Sequence, residues 1–356
     1  MAREHFQNHE ISKDWLTFAS PNRQDRKTSN FSIGGFARTE AGFKRSHSNM
    51  SDPTEFVITA TFMAAMGIFA VTAAVRRLRG IQISPAAVPV EALSSDDGSP
   101  YQTPGSPVFP PELPHGRVPV WLYQPLDLLG IGFIFVLFFG LVMASVRASA
   151  EAELVLDVNG MVASIAFQFI SAGIVTFFVI PRIRPVEWLG LRWPAWRWVF
   201  LIAPSAVLSM WVFFGILQAS GFMEWMESLG VEAVQDSVKL LQTSTDPAII
   251  GLMVFAAVVA APLCEEIVFR GYFYPAAKKF VGPWAAGICS ALVFAAAHGS
   301  LAALLPLFIF GCVLVFIYEK TGSLWAPVAV HFCFNGATVL IQMIARHYHL
   351  PLDAPL

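Results

Sequence analysis

Long apolar stretches, separated by short polar segments, make up most of this chain. Because the hydrocarbon core of a bilayer is about 30 Å thick, a helix that crosses it needs on the order of 20 mostly apolar residues. Eight segments fit this requirement, approximately Glu55 to Val75, Leu126 to Val146, Met161 to Ile180, Trp196 to Gln218, Ala248 to Phe269, Pro283 to Ala297, Leu301 to Tyr318 and Ser323 to Ala345. The pattern predicts an all-α, polytopic transmembrane helix bundle of about eight spans, located in the cell membrane.

Composition supports a membrane protein and excludes one class of partner. The chain has 356 residues, of which 55% are hydrophobic and 13% charged, whereas soluble domains carry roughly 25% charged residues. With a net charge of -2, no basic stripe is available to neutralise a phosphate backbone, so nucleic acid is excluded as a partner. The expected partners are the lipid bilayer and membrane-associated proteins or peptides. All four cysteines lie in apolar segments, which argues against a disulfide framework.

The polar segments divide the chain. Residues 1–54 are polar and predicted to be disordered, and a start of translation at Met50 is a hypothesis that fits this composition. Residues 76–125 form a Pro- and Ser-rich linker, and residues 126–247 hold spans two to four with an amphipathic segment over Gly221 to Thr245. Residues 248–345 contain the last four spans, and residues 346–356 form a C-terminal tail.

Basic residues near the ends of the spans predict the orientation in the membrane, because cytoplasmic loops carry an excess of Lys and Arg. The basic residues lie in every second loop, after spans one, three and five: Arg76, Arg77, Arg79, Arg182, Arg184, Arg192, Lys278 and Lys279. We therefore expect those loops in the cytoplasm and the acidic Gly221 to Thr245 segment outside. The basic first fifty residues and Arg346 run against this assignment.

Ionisable side chains inside the apolar segments are concentrated in the last four spans. Each such group costs about 2.5 to 3.5 kcal/mol on insertion scales and is therefore a functional candidate. They form three motifs, Glu265-Glu266-x-x-x-Arg270, Phe294-x-x-x-His298 and His331-x-x-x-Asn335. At about 100° per residue, Glu266 faces Arg270 one turn away, while Glu265 lies roughly 140° from that arginine.

This inventory matches the needs of a hydrolase, which requires a base, a proton donor and hydrogen-bond donors for an oxyanion. Glu265 is the candidate base and His298 the group that shares its activated water. His331 and Asn335 are the candidate oxyanion donors. Glu266 and Arg270 are expected to support the site as an ion pair.

Simpler explanations exist for each motif alone. An i,i+4 Glu and Arg pair can fasten helices together, and a single intramembrane His can be a packing residue. Cys264, beside Glu265, is a possible thiol nucleophile, but the sequence places no base for it. Two Glu, one Arg, two His and one Asn in three late spans favour a functional site.

The ordered motifs resemble the CPBP family of intramembrane proteases, which includes type II CAAX-prenyl endopeptidases and bacteriocin-processing or self-immunity proteins. The resemblance covers about Ala248 to Ala345 and all six motif residues. It implies an eight-helix bundle whose conical cavity opens toward the cytoplasm and the bilayer. It also implies either a glutamate-type or a metalloprotease mechanism. We favour the metal-free mechanism; if zinc is present, Glu265, His298 and His331 are its expected ligands.

The sequence therefore predicts an intramembrane endopeptidase acting on membrane-associated proteins or peptides. The alternatives are a non-catalytic membrane scaffold or bacteriocin-immunity-type binding protein and, less favoured, a proton-coupled transporter. A depth argument adds a structural expectation. If the fifth helix ended at Arg270, Glu265 would lie only about 8 Å deep, too shallow to meet His298. We therefore expect this helix to continue to about Lys278.

Overall fold

The computed structural model describes residues 53–81, 118–120, 123–151, 157–182, 184–229, 231 and 236–348. Over these ranges the regular structure is helical and contains no strand. The helices are α1 (Pro53–Leu78), α2 (Asp127–Glu151), α3 (Val158–Val179), α4 (Pro185–Trp188), α5 (Val199–Ala219), α6 (Phe222–Ser228), α7 (Asp236–Thr243), α8 (Pro247–Val281), α9 (Pro283–Ala296), α10 (Leu301–Thr321) and α11 (Trp325–His347). The predictions for residues 1–52, for most of the linker and for the end of the tail lie outside the described residues.

The helices confirm an all-α, multi-pass membrane protein. Seven of the described helices (α1, α2, α3, α5, α8, α10 and α11) are long and apolar enough to span a membrane. The eighth predicted span is α9, which has only 14 residues and is about 21 Å long. It is buried by protein, with Cys289 and Phe294 both 0% exposed, and it packs against α1 and α10. Hydropathy alone could not distinguish this central short helix from a lipid-facing span.

Helix α8 continues well past the charged motif, as the depth argument required. It runs unbroken over 35 residues to Val281. Two stretches of it are π-helical, Ala256–Ala260 and Ile267–Phe273, and such stretches occur often at functional sites. Side chains from other parts of the chain donate to carbonyls in both. No sequence pattern predicted these π-helical stretches.

The second π-helical stretch is contacted by two aromatic residues that precede α5 in the chain. Tyr123 Oη and Trp188 Nε1 donate to the carbonyl of Gly271 at 2.9 and 2.8 Å. Both side chains are buried. Burial raises the pKa of Tyr123 well above its ordinary value, so the phenol remains a neutral donor at physiological pH.

A buried carboxylate next to these aromatic residues ties α8 to α2 and α3. Asp127, at the start of α2, is 3% exposed and accepts a hydrogen bond of 2.9 Å from Tyr272 Oη. Arg182, just after α3, donates to both of its carboxylate oxygens at 2.7 and 2.8 Å. The hydrogen bond to Asp127 raises the pKa of Arg182. The carboxylate thus has a partner for each oxygen, as a buried charge requires.

The predicted amphipathic segment contains two short helices, α6 and α7. Met223 and Met226 of α6 are buried in a small apolar cluster of their own. Arg346, near the end of α11, donates to the carbonyl of Leu241 at 2.6 Å. A guanidinium at the last turn of a helix satisfies free carbonyls and complements the helix dipole, so Arg346 attaches α7 to α11.

Candidate active site

A cavity of about 410 Å³ brings the predicted catalytic residues together. Its wall contains Glu265 from α8, His298 from the turn after α9, and His331 and Asn335 from α11. The remainder of the wall is mainly apolar and includes Met161, Met253, Phe310 and Phe334 among others. An apolar cavity with a few convergent polar groups is the usual form of a ligand site.

Glu266 and Arg270 form the expected ion pair behind this wall. Arg270 Nη1 lies 2.9 Å from Glu266 Oε1, and both side chains are 0% exposed. The guanidinium also packs on the Phe294 ring, 4.3 Å from its centroid, in a cation–π contact. The same Glu266 oxygen lies 3.0 Å from Nδ1 of His331. The supporting pair therefore holds a residue of the cavity wall, a contact that the sequence did not predict.

Glu265 lies on the cavity side of α8, as its angle from Arg270 predicted. Its Oε2 atom is buried and has no hydrogen-bond partner among the described residues. A buried carboxylate oxygen without a donor is costly. The carboxylate is thus placed to bind a molecule in the cavity, such as water or a substrate group.

Both histidines use Nδ1 for hydrogen bonds to acceptors. His298 Nδ1 lies 2.8 Å from the carbonyl oxygen of Phe294, and a carbonyl can only accept, so this nitrogen carries the proton. Oε1 of Glu266 already accepts a hydrogen bond from Arg270, so we assign Nδ1 of His331 as a second donor to the same oxygen. Each Nε2 atom then accepts a hydrogen bond in the neutral ring and donates one only in the imidazolium.

Asn335 joins α11 to the first π-helical stretch of α8. Its Nδ2 donates to the carbonyl of Ala257 at 2.8 Å. The second N–H of the amide and its Oδ1 remain for the cavity. Asn335 therefore has a structural contact beside the oxyanion role proposed from sequence.

Two alternatives from the sequence analysis can be compared with this geometry. Cys264 is buried, at 2% exposure, and does not line the cavity. Across the described ranges, no three His, Cys, Asp or Glu side chains are grouped closely enough to hold a metal. Glu265, His298 and His331 therefore do not fit a preformed three-ligand zinc site in this arrangement.

Four further polar residues of the wall were missed from sequence: Ser164 and Gln168 on α3, and Thr338 and Gln342 on α11. Thr338 and Gln342 follow Asn335 by three and seven residues, which places them on the face of α11 that carries His331. This spacing is a signal that could have identified them. Gln168 carries no motif, and only the fold brings it to the cavity.

The position of the cavity makes the predicted orientation of the basic loops incompatible with the cytoplasmic opening that the family resemblance implied. The cavity is lined by the first half of α8 and by residues of α6 and α7, including Met223 and Leu241. Lys278 lies near the other end of α8, about 20 Å beyond Glu265 along the axis. Basic loops in the cytoplasm would therefore put this cavity on the outer side, whereas the family resemblance implied a cytoplasmic opening.

Comparison with known proteins identifies the same part of the chain. A family model described as Type II CAAX prenyl endopeptidase Rce1-like matches residues 247–337. A Bacillus subtilis (strain 168) protein named "Putative membrane peptidase YdiL" is 29% identical over 92 residues, which cover 26% of this chain and 38% of the relative. No solved structure matches significantly. Both matches confirm the resemblance to the CPBP family that the three motifs indicated.

Proposed function

We propose that this chain, whose residues 247–337 match a CPBP-type core, is an intramembrane endopeptidase that hydrolyses peptide bonds of membrane-associated proteins or peptides. The observation that carries the proposal is the unpartnered Oε2 of Glu265 in a cavity shared with two histidines. A hydrolase needs such a base within reach of water. The family description and the name of the bacterial relative support the same reaction class.

In this proposal, Glu265 takes a proton from a water molecule that Nε2 of His298 also orients. The resulting hydroxide attacks the carbonyl carbon of the peptide bond, and negative charge develops on the carbonyl oxygen. His331 and Asn335 donate to that oxygen. Because Nδ1 of His331 already donates to Glu266, donation from Nε2 requires that the ring carry a second proton. The carbonyl then re-forms as the C–N bond breaks, and protonated Glu265 gives its proton to the leaving amine.

Metal-free catalysis is favoured because the cavity carboxylate and the two histidines suffice for proton transfer and charge stabilisation. A bound zinc ion would instead supply a water molecule of lowered pKa. A prenylated CAAX tail is one candidate substrate, since the matching family model is described by that activity.

The test is a comparison of new protein termini in membranes that contain the wild type, Glu265→Gln or Glu227→Gln. Glu227 is an exposed residue of α6 and serves as the matched control. Termini that appear with the wild type and with Glu227→Gln, and are absent with Glu265→Gln, would identify substrates and cleavage sites. Identical termini in all three membranes would exclude proteolysis through Glu265 and favour the non-catalytic binding function.

A further inference from the structure

One face of α11 carries a continuous row of polar residues along the cavity. His331, Asn335, Thr338 and Gln342 all line the cavity wall, and at about 100° per residue they lie within roughly 60° of one another around the helix. The row extends about 16 Å along the helix axis. His331 and Asn335 belong to the proposed catalytic centre, whereas Thr338 and Gln342 lie beyond residue 337, where the family match ends.

Thr338 differs from other hydroxyl-bearing residues in the helices of this protein. Several of them donate to the carbonyl four residues earlier, namely Thr61, Ser171, Thr176, Ser209, Thr243 and Thr321. The Oγ1 atom of Thr338 is buried and makes no hydrogen bond within the described part of the chain. Since the local carbonyl bond is the usual one for a helical Thr, this hydroxyl is left available to the cavity.

Two amide side chains also line the cavity, and one of them has a buried atom without a partner among the described residues. Gln168 Oε1 is buried without a hydrogen bond to any described residue, and Gln168 lines the cavity from α3. Gln342 is only 4% exposed and lines the cavity from α11. Buried polar atoms in proteins almost always have partners, so the unpaired atoms of Thr338 and Gln168 indicate a ligand that carries hydrogen-bonding groups.

We propose that Thr338, Gln342 and Gln168 bind the main chain of an extended peptide segment next to the bond that is cleaved. A peptide offers one donor and one acceptor per residue, and at about 3.3 Å per residue the row would accommodate roughly five residues. A lipid acyl chain offers no such groups. The apolar side chains of the wall then surround the side chains of the peptide.

This inference rests on the proposed function and predicts a specific kinetic effect. The variants are Thr338→Val, Gln342→Met and Gln168→Met, which keep side-chain size but remove hydrogen-bonding groups. The control is Thr176→Val, whose hydroxyl is bonded to the Ala172 carbonyl. The substrate is a quenched fluorescent peptide that spans a cleavage site found in the membrane comparison.

Each cavity variant should raise KM about five- to tenfold, the equivalent of one net hydrogen bond. The value of kcat should stay nearly unchanged, because these contacts hold the substrate equally well in the ground state and the transition state.

A series of peptides with one N-methylated amide each tests direct contact. One N-methylated peptide should bind the wild type more weakly than the unmethylated peptide does. In the variant that lacks the partner of that amide, the methylated and unmethylated peptides should bind equally well. Unchanged KM in all three variants would overturn the inference while leaving the protease activity in place.

A second measurement does not depend on turnover. A photoreactive benzoylphenylalanine replaces Gln342 in the Glu265→Gln protein, and a control protein carries it at Leu340, which is 60% exposed on the outer face. Peptide adducts should form at position 342 and not at position 340. If the wild type cleaves nothing, the proposed function fails, and adducts formed in cell membranes then test only whether this face of α11 binds a peptide; lipid adducts or none at position 342 would exclude it.

Discussion

Nδ1 of His331 lies 3.0 Å from Oε1 of Glu266, and this bond joins two helices that sequence analysis had treated separately. The same oxygen accepts from Arg270. The ion pair therefore orients a histidine of the cavity wall in addition to fastening α8. Glu265, one residue earlier, lines the cavity, and its Oε2 atom has no hydrogen-bond partner among the described residues. The two adjacent glutamates are expected to respond very differently to substitution.

Glu266→Gln should destabilise the protein strongly, whereas Glu265→Gln should not. Removing one member of a buried pair typically costs about 3 to 5 kcal/mol because the other charge is left uncompensated, and here Arg270 is 0% exposed. Thermal unfolding in detergent measures the difference, with the wild type as reference. Equal melting temperatures for the wild type and Glu266→Gln would contradict the structural role of the pair.

The activity of the same variants separates catalysis from folding. Glu265→Gln should remain folded and lose at least about 100-fold in turnover, the usual contribution of a general base. His298→Ala and His331→Ala should also lose turnover. His331→Ala should retain most of its stability, because Arg270 still pairs with Glu266. Full cleavage of a reporter peptide by Glu265→Gln would exclude the proposed mechanism.

Chelation distinguishes the two possible mechanisms. Since no three-ligand group is preformed in the described ranges, we expect the wild type to keep its activity after treatment with a strong chelator. Activity is measured on the reporter peptide before treatment, after chelation and after zinc is restored. If chelation abolishes activity and zinc restores it, the same site would be correct, but zinc would activate the water in place of Glu265.

The sequence predicted the fold and the motif residues of the site because both leave strong local signals. Apolar segments about 20 residues long indicate spans, and Glu266 and Arg270 have the i,i+4 spacing of an ion pair. The bond between His331 and Glu266 joins residues 65 positions apart, and no local pattern encodes it. The π-helical stretches of α8 accept hydrogen bonds from Tyr123, Trp188 and Asn335, which are distant contacts that no local pattern encodes.

The contact between α2 and α8 provides a test of these long-range interactions. A Cβ atom on Gly130 would lie 2.0 Å from Tyr272 Oη, so Gly130→Ala must displace the phenol that donates to Asp127. Overpacking of this kind costs about 1 to 3 kcal/mol. Gly132→Ala is the matched control, since no heavy atom lies within 4 Å of its added Cβ. We expect a lower melting temperature in detergent for Gly130→Ala alone; equal values for both variants would contradict the contact.

The side of the membrane that the cavity faces can be measured directly. Glu227 and Lys320 are both exposed. Glu227 lies on α6, at the end of the bundle that holds the cavity. Lys320 lies in the last turn of α10, next to Glu319, and Glu319 pairs with Lys278 at the opposite end. The basic loops place the Lys320 end in the cytoplasm. In a protein without its native cysteines, Glu227→Cys should therefore react with an impermeant maleimide in intact cells, and Lys320→Cys only after permeabilisation. That result would place the cavity on the outer side, where the proposed protease would act on segments exposed outside the cytoplasm. The reverse labelling would restore the cytoplasmic opening that the family resemblance implied and would show that the loop charges do not determine the orientation of this chain.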